Sequence, residues 1–435
     1  MESLQSLSFG DLIRNYRYEA NLSLTQLGEL AGLSKGTISK LENGEVKRPD
    51  FKTVHALAKV LQIPFDDIIE KYAMMENRSD VLLSILHTTV ESAPSLSVKV
   101  AIRFLHSVNK DSEVVEELYR TTEGIQNASI KLSLFTLIGN YARDHGMMHY
   151  VAKGLMQQYL IERDDFSKLR STYQSGRSIL YFAGFLPKEE QALLYYKLGV
   201  HAFYLRLFQE SMELCAKTVE LKPANDRLLA NSIGIICDAN CELGNYDLAN
   251  FYLQQYSKFS YQHVKENVQL LTATIYTAKE NTDDAISILR MLLYECQDQS
   301  ILHIVNELMD LYLKTENIPG AEELLQHEEK ITTIPYSTPY RQSELARFYK
   351  LMGDYFFMKN DSESSVKYYI KSAIDYVKVN DIINEHECVG KVKQELLEAA
   401  NDRKKLTDEY VVRLSQLLDT YIVEAQRLIV AESRK

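Results

Sequence analysis

From Phe9 onward, apolar residues recur at intervals of three and four, the period of a helix buried along one face. Phe9, Leu12, Ile13 and Tyr16 predict a first helix over Phe9–Glu19. Ser23 with Gln26 is a capping box: the hydroxyl accepts the Gln26 amide while the Gln26 side chain reaches back. It predicts a short second helix, Leu24–Ala31, stopped by Gly32. Ser34 caps a third, Lys35–Asn43, and Gly44 takes the C′ position, where a left-handed residue is wanted. Two helices joined by a Gly-containing turn of about three residues make a helix-turn-helix. Pro49 blocks continuation. Phe51–Leu61, with Val54, Leu57, Ala58 and Leu61 on one face, and Phe65–Tyr72 complete five helices. Leu27, Leu30, Ala31, Leu33, Ile38 and Leu41 are predicted to point inward, leaving Lys35, Gly36, Thr37, Ser39 and Lys40 on the outer face of the third helix.

Helical periodicity continues less regularly through 73–190, which reads as a linker helix with a helical bundle or degenerate repeats. From about residue 190 a two-helix unit repeats, with a small residue near the start of its second helix: Ser211, Ala249, Ala285, Ala321 and Ser365, spaced by 38, 36, 36 and 44. Leu198-Gly199, the Gly244-Asn245-Tyr246 turn and Pro223 fall in register with it. The period is similar to that of tetratricopeptide (TPR) repeats of 34 residues with lengthened loops. That resemblance implies an α-solenoid whose first helices line a concave surface. The division expected is 1–72 helix-turn-helix domain, 73–190 intermediate helices, 191–385 repeats, and 386–435 capping or dimerisation helices carrying Val411, Leu414, Leu417, Leu418 and Tyr421.

Composition agrees with an all-α chain: among 435 residues there are only 17 Gly and 8 Pro, too few for frequent tight turns. The N-terminus has no apolar signal region, and no apolar run approaches the roughly 18 residues of a membrane span, so a soluble cytoplasmic protein is expected. The five cysteines form no disulfide framework, and Cys237 and Cys241 lack a second ligand pair for a metal. No phosphate-binding loop, nucleophile elbow, zinc-protease motif or dinucleotide loop is present, and His145 and His149 have no third ligand. No enzyme, metal or cofactor is therefore expected. A net charge of −11 opposes non-specific nucleic-acid binding by the whole molecule. Positive charge is instead placed: residues 35–52 carry five basic side chains (Lys35, Lys40, Lys47, Arg48, Lys52) against three acidic ones (Glu42, Glu45, Asp50).

Small residues, hydroxyls and lysines on one outer helix face suit a helix that enters the major groove and meets base edges. Residues 9–72 resemble the XRE/phage-repressor class of helix-turn-helix domains, most clearly over residues 33–63, with the run Leu41-Glu42-Asn43-Gly44 and the Lys47-Arg48-Pro49 that follows as a specific signature. The resemblance implies base reading by Lys35, Gly36, Thr37 and Lys40, with Ser39 on the same face. It implies phosphate contacts at Asn43, Lys47 and Arg48, and a structural ion pair between Arg17 and Glu42. Two departures shift weight toward DNA shape. The class often has Gln where this chain has Leu24, and Gly36 offers no side chain for reading.

On the concave surface, Asn231 and Asn267 are expected at the second position of successive first helices and Asn306 at the fifth of the next. A carboxamide offers a donor and an acceptor to the backbone of an extended peptide. Tyr196, Phe203, Tyr204 and Tyr276 are candidate pockets, and Lys197 or Arg347 a partner for a terminal carboxylate. An XRE-type domain followed by a TPR array is similar to the peptide-pheromone-responsive regulators of Gram-positive bacteria (the Rgg, NprR, PlcR and PrgX group), and the length is nearest to NprR-like members. That resemblance implies quorum-sensing transcriptional control by a short signalling peptide, acting on a homodimer at a roughly palindromic site. It also leaves open a protein-interaction module of the Rap/NprR type that binds a response regulator, and a prophage- or plasmid-borne regulator using the same switch.

Overall fold

The computed structural model describes residues 8–46, 49–92, 94–107, 111–165, 168–295, 300–336, 338–379, 381–403 and 409–433, and among them it contains helices and no strand. The chain divides into two compact units, one of residues 1–162 with 178–186 and one of 163–177 with 187–435. It is an all-α protein: an XRE-type helix-turn-helix domain opens the chain and a TPR-type α-solenoid follows.

In the first unit, α1 (Phe9–Glu19), α2 (Leu24–Ala31), α3 (Lys35–Glu42), α4 (Phe51–Leu61) and α5 (Phe65–Met75) form the helix-turn-helix domain. Serines start three of them: Ser8 and Ser23 make reciprocal capping boxes with Asp11 and Gln26, and Ser34 accepts the Thr37 amide. Gly32 ends α2 at φ 67° and Gly44 follows α3 at φ 69°. Leu12, Ile13, Leu27, Ile38, Leu41, Val54 and Leu57 are buried together. Leu30 is not: it is 62% exposed, contrary to the inward placement read from the sequence. Gly28 meets the Leu33 carbonyl, so the packed side of α2 is centred on Leu27 and Gly28, and Leu30 lies about 200° around the helix from Gly28. The same apolar core continues without a break into α6 (Ser79–Ser92), α7 (Pro94–Leu105), α8 (Asp111–Glu123), α9 (Ala128–Asp144) and α10 (Met148–Glu162).

The second unit starts with α11 (Leu169–Ser178) and then pairs helices: α12 (Lys188–Tyr204) with α13 (Phe208–Leu221), α14 (Asp226–Glu242) with α15 (Tyr246–Tyr256), and α16 (Gln262–Ala278) with α17 (Thr282–Glu295). α18 (Ile301–Lys314) pairs with α19 (Ile318–Leu324), a short α20 (Glu328–Thr333) intervenes, and α21 (Pro339–Met358) pairs with α22 (Ser362–Lys378). α23 (Ile382–Arg403) and α24 (Glu409–Ser433) pack on α22. First helices touch in succession, α12 on α14, α14 on α16, α16 on α18 and α18 on α21, which makes the array a solenoid.

Ser211, Ala249, Ala285, Ala321 and Ser365 are all fully buried near the start of the second helix of each pair. The turns share one geometry. Arg206, Gly244, Glu280, Glu316 and Asn360 all have positive φ, and each stands five residues before its small residue. The next residue's amide then bonds back to the first helix: Leu207 to Ala202, Asn245 to Asn240, Asn281 to Tyr276, Asn317 to Tyr312 and Asp361 to Phe356, at 2.8–3.0 Å. These are helix-terminating bonds of the Schellman type, which satisfy carbonyls that the helix end leaves open.

Candidate nucleic-acid interface and solenoid groove

On α3, Lys35, Gly36 and Lys40 are exposed, and Thr37 and Ser39 are half-buried. The Thr37 hydroxyl lies 2.8 Å from the Ser34 hydroxyl, so Thr37 is drawn into the helix cap. Asn43 is exposed just past the end of α3, whereas Lys47 and Arg48 lie outside the described residues. Arg17 reaches both Glu42 carboxylate oxygens, at 2.7 and 2.8 Å, and the Leu22 carbonyl at 2.9 Å, and both charged partners are buried. This forked pair fixes the angle of α3 against α1. Glu42 holds the Arg17 guanidinium protonated, outweighing the burial that opposes it. Arg14 adds bonds to the Glu42 carbonyl (2.9 Å) and the Asn43 side-chain oxygen (2.7 Å). Sequence reading missed Arg14, although it stands three residues before Arg17 and so shares its helix face.

The three asparagines keep register more closely than the sequence suggested. Because α14, α16 and α18 start at Asp226, Gln262 and Ile301, Asn231, Asn267 and Asn306 are each the sixth residue of their helix. Their surroundings differ. Asn231 donates to the Tyr196 hydroxyl at 3.4 Å, and its oxygen meets His263 Nε2 at 2.9 Å. Asn267 is exposed and donates to the Tyr256 hydroxyl at 3.3 Å. Asn306 is fully buried and donates to the Glu344 carbonyl (2.9 Å) and carboxylate (3.2 Å). Tyr196, Lys197, Tyr204 and Tyr276 are half-buried, with the Lys197 ammonium 5.8 Å from the Tyr196 ring centre. Phe203 is buried against Tyr340, ring centres 4.8 Å apart.

Inside the solenoid lies a cavity of about 540 Å³, adjoined by one of about 160 Å³; Glu242, His303, Tyr340 and Glu344 line both. Of the peptide-binding candidates, Arg347 lines the larger cavity and Asn267 and Phe203 the smaller; Asn231, Asn306, Tyr196, Lys197, Tyr204 and Tyr276 line neither. Arg347 is matched by Glu307 (2.6 Å) and Asp310 (3.7 Å), and His303 by Glu344 (3.1 Å). Lys350 pairs with Glu387 at 2.7 Å, and Arg206 with Asp381. Asp238 and Glu242, one turn apart on α14, form no ion pair among the described residues. Burial pushes the Asp238 carboxyl up to about 7, with Glu242 adding to the rise and His303 opposing it. Enclosure also raises Glu242, with Glu344 second, although its side chain stays open to the groove. Burial works against a charged His303, but Glu344 overrides it and lifts the imidazole to about 9; in return His303 and Arg347 hold Glu344 down to about 2 despite burial. Asp238 and Glu242 come from α14, His303 from α18, and Glu344 and Arg347 from α21, so no fixed sequence spacing announces them.

The helix-turn-helix family profile matches residues 13–68. Residues 13–68 are a helix-turn-helix domain. Over 69 residues the chain is 36% identical to the HTH-type transcriptional repressor RghR of Bacillus subtilis (strain 168), covering 16% of this chain and 51% of RghR. Over 61 residues it is 38% identical to the uncharacterized HTH-type transcriptional regulator RghRB of the same strain, covering 14% of this chain and 44% of RghRB. The chain thus spans about half the length of the curated relatives it matches. A second profile, Spo0E like sporulation regulatory protein, matches residues 389–427 on α23 and α24; the sequence reading had these only as capping or dimerisation helices. Among solved structures, phAimR is similar at 13% identity, 94% of this chain, 100% of that chain and a TM-score of 0.38. PlcR of Bacillus thuringiensis, in complex with the peptide PapR7 and DNA, is similar at 14% identity, 57% of this chain, 95% of that chain and a TM-score of 0.21. The competence regulator ComR of Streptococcus vestibularis, in its apo form, is similar at 14% identity, 66% of this chain, 93% of that chain and a TM-score of 0.22.

Proposed function

We propose that this protein is a transcriptional regulator that binds DNA through α3 of its helix-turn-helix domain and binds a short peptide in the solenoid groove, each ligand altering affinity for the other. The observation that carries the DNA half is the exposed face of Lys35, Gly36 and Lys40 on a helix capped by Ser34 and braced by the Arg17–Glu42 pair, in a segment 36% identical to a transcriptional repressor. Such a face positions lysines at base edges with little bulk in the way. A homodimer on a roughly palindromic site is the arrangement this reading expects.

The peptide half is supported by a polar cavity inside the array and by the smaller cavity that adjoins it, with Asn267 at the wall of the smaller one. Arg347 is already matched by two carboxylates, so it gains little from a peptide's terminal carboxylate, whereas Asp238 and Glu242 have no ion-pair partner among the described residues, Glu242 accepting only from the Tyr340 hydroxyl at 3.4 Å. A peptide with a basic side chain therefore fits this groove better than an acidic one. By linkage, peptide and operator change each other's affinity by one common factor. The deciding experiment is native mass spectrometry of the purified full-length chain for a co-purified oligopeptide, followed by titration of labelled DNA with and without it. A DNA affinity indifferent to the bound peptide would overturn the gating. A second reading has its own support in the profile match at 389–427: α23 and α24 form a docking element for a partner in sporulation control, such as a response regulator. Capture of a receiver domain that survives deletion of residues 1–72 and is lost on deletion of residues 389–427 tests it; capture that survives both deletions would place the site elsewhere, as in the helices of 73–190.

A further inference from the structure

One terminal nitrogen of Arg14 donates to both the Glu42 carbonyl and the Asn43 side-chain oxygen. A guanidinium carries donors only, so it decides which end of the Asn43 amide faces the protein. The oxygen is turned to α1, and Nδ2 is turned away, where its contact is a long one of 3.5 Å to Glu45 Oε1. Arg14 itself is anchored sideways by Glu42 (3.6 Å) and Asp11 (3.7 Å), so its charge is already matched. Asn43 stands exposed at the end of α3 that is proposed above to face DNA.

We infer that Arg14 is a positioning residue for phosphate recognition: it acts through Asn43, presenting the amide N–H to a DNA phosphate without itself touching DNA. The inference rests on the DNA-binding reading. Without Arg14 the carboxamide is free to turn its oxygen outward, where it repels a phosphate, and Glu45 competes for the N–H that remains.

The test is a double-mutant cycle in the full-length chain with Arg14→Gln, Asn43→Ala and the double variant. The probe is a fluorescein-labelled duplex of about 30 base pairs of arbitrary sequence at low salt, because phosphate contacts dominate non-specific binding. Each single variant is expected to weaken binding about tenfold, as for a lost hydrogen bond to a charged group, and the double variant no further than Asn43→Ala alone. The slope of log affinity against log salt should stay unchanged, since Asn43 is neutral. A slope reduced by about 1 in Arg14→Gln would make Arg14 a direct phosphate contact and overturn the assignment. Multiplying effects, or an Arg14→Gln variant that binds like the parent, would overturn it as well. If Arg14→Gln loses amide protection in α1–α3, Arg14→Lys replaces it, because it keeps the charge but loses the planar fork that holds Glu42 and Asn43 together. Absence of binding by the parent chain would instead reject the DNA reading, and this assignment with it.

Discussion

A few side chains hold the headpiece together by close approach. A Cβ on Gly10 would lie 2.6 Å from the Leu41 carbonyl oxygen and 2.7 Å from that of Glu42, so α1 meets the end of α3 backbone to backbone. Gly10→Ala is expected to cost at least about 2 kcal/mol, because backbone atoms cannot step aside. Glu42→Ala leaves the Arg17 guanidinium buried without its partner, a loss of about 3–5 kcal/mol. Both effects should appear as faster hydrogen exchange confined to α1–α3, and normal protection there would refute them. In the groove, the proton on His303 is held more tightly in the folded chain than in the unfolded one. Its contribution is complete below about pH 6.5 and fades as pH rises to about 9. Glu344 contributes fully above about pH 4.5 and loses its share as pH falls toward 2. Asp238, raised to about 7, adds a penalty as it ionises. The second unit should thus unfold at a lower temperature at pH 9 than at pH 6, and His303→Gln should flatten that difference in a calorimetric series.

At the scale of the element, the repeat turn is the recurring device. Four of its five left-handed positions carry side chains, and Gly244 alone uses glycine. Such a residue costs about 1 kcal/mol outside glycine, so Glu316→Gly, at a φ of 53°, is expected to raise the thermal midpoint in calorimetry; an unchanged or lower midpoint would refute strain at this turn. Ala285 is fully buried where α17 meets its neighbours, so Ala285→Leu should destabilise by about 1–3 kcal/mol through overpacking; an unchanged urea midpoint would show the array yielding instead. These elements were legible in the sequence for plain reasons. Ser23, Ser34 and Gly44 act within one turn of themselves, and the small residues repeat because each second helix must approach its first at the same place. Leu30 was misplaced because on an eight-residue helix Gly28, a residue without a side chain, centres the packed side. Asn306 was read as facing the groove, yet it lies under Glu344, which arrives from a helix 38 residues on. No local pattern carries that kind of pairing.

For the molecule as a whole, net charge and local charge have opposite uses. A chain of −11 repels DNA at long range, so its grip depends on a small basic surface, and the slope of log affinity against log salt should be the modest one of the few phosphates that surface neutralises. The solenoid is built mostly from neighbours in sequence, but some contacts span it: Tyr340 reaches Glu242 across 98 residues and packs on Phe203, and Arg206 meets Asp381 across 175 residues. The Arg206–Asp381 pair has a consequence for the protein's synthesis. At a synthesis rate of 5–20 residues per second, Asp381 emerges roughly 9–35 s after Arg206. For that interval Arg206 stands without its carboxylate partner, and this contact forms only after α12 through α22 have emerged.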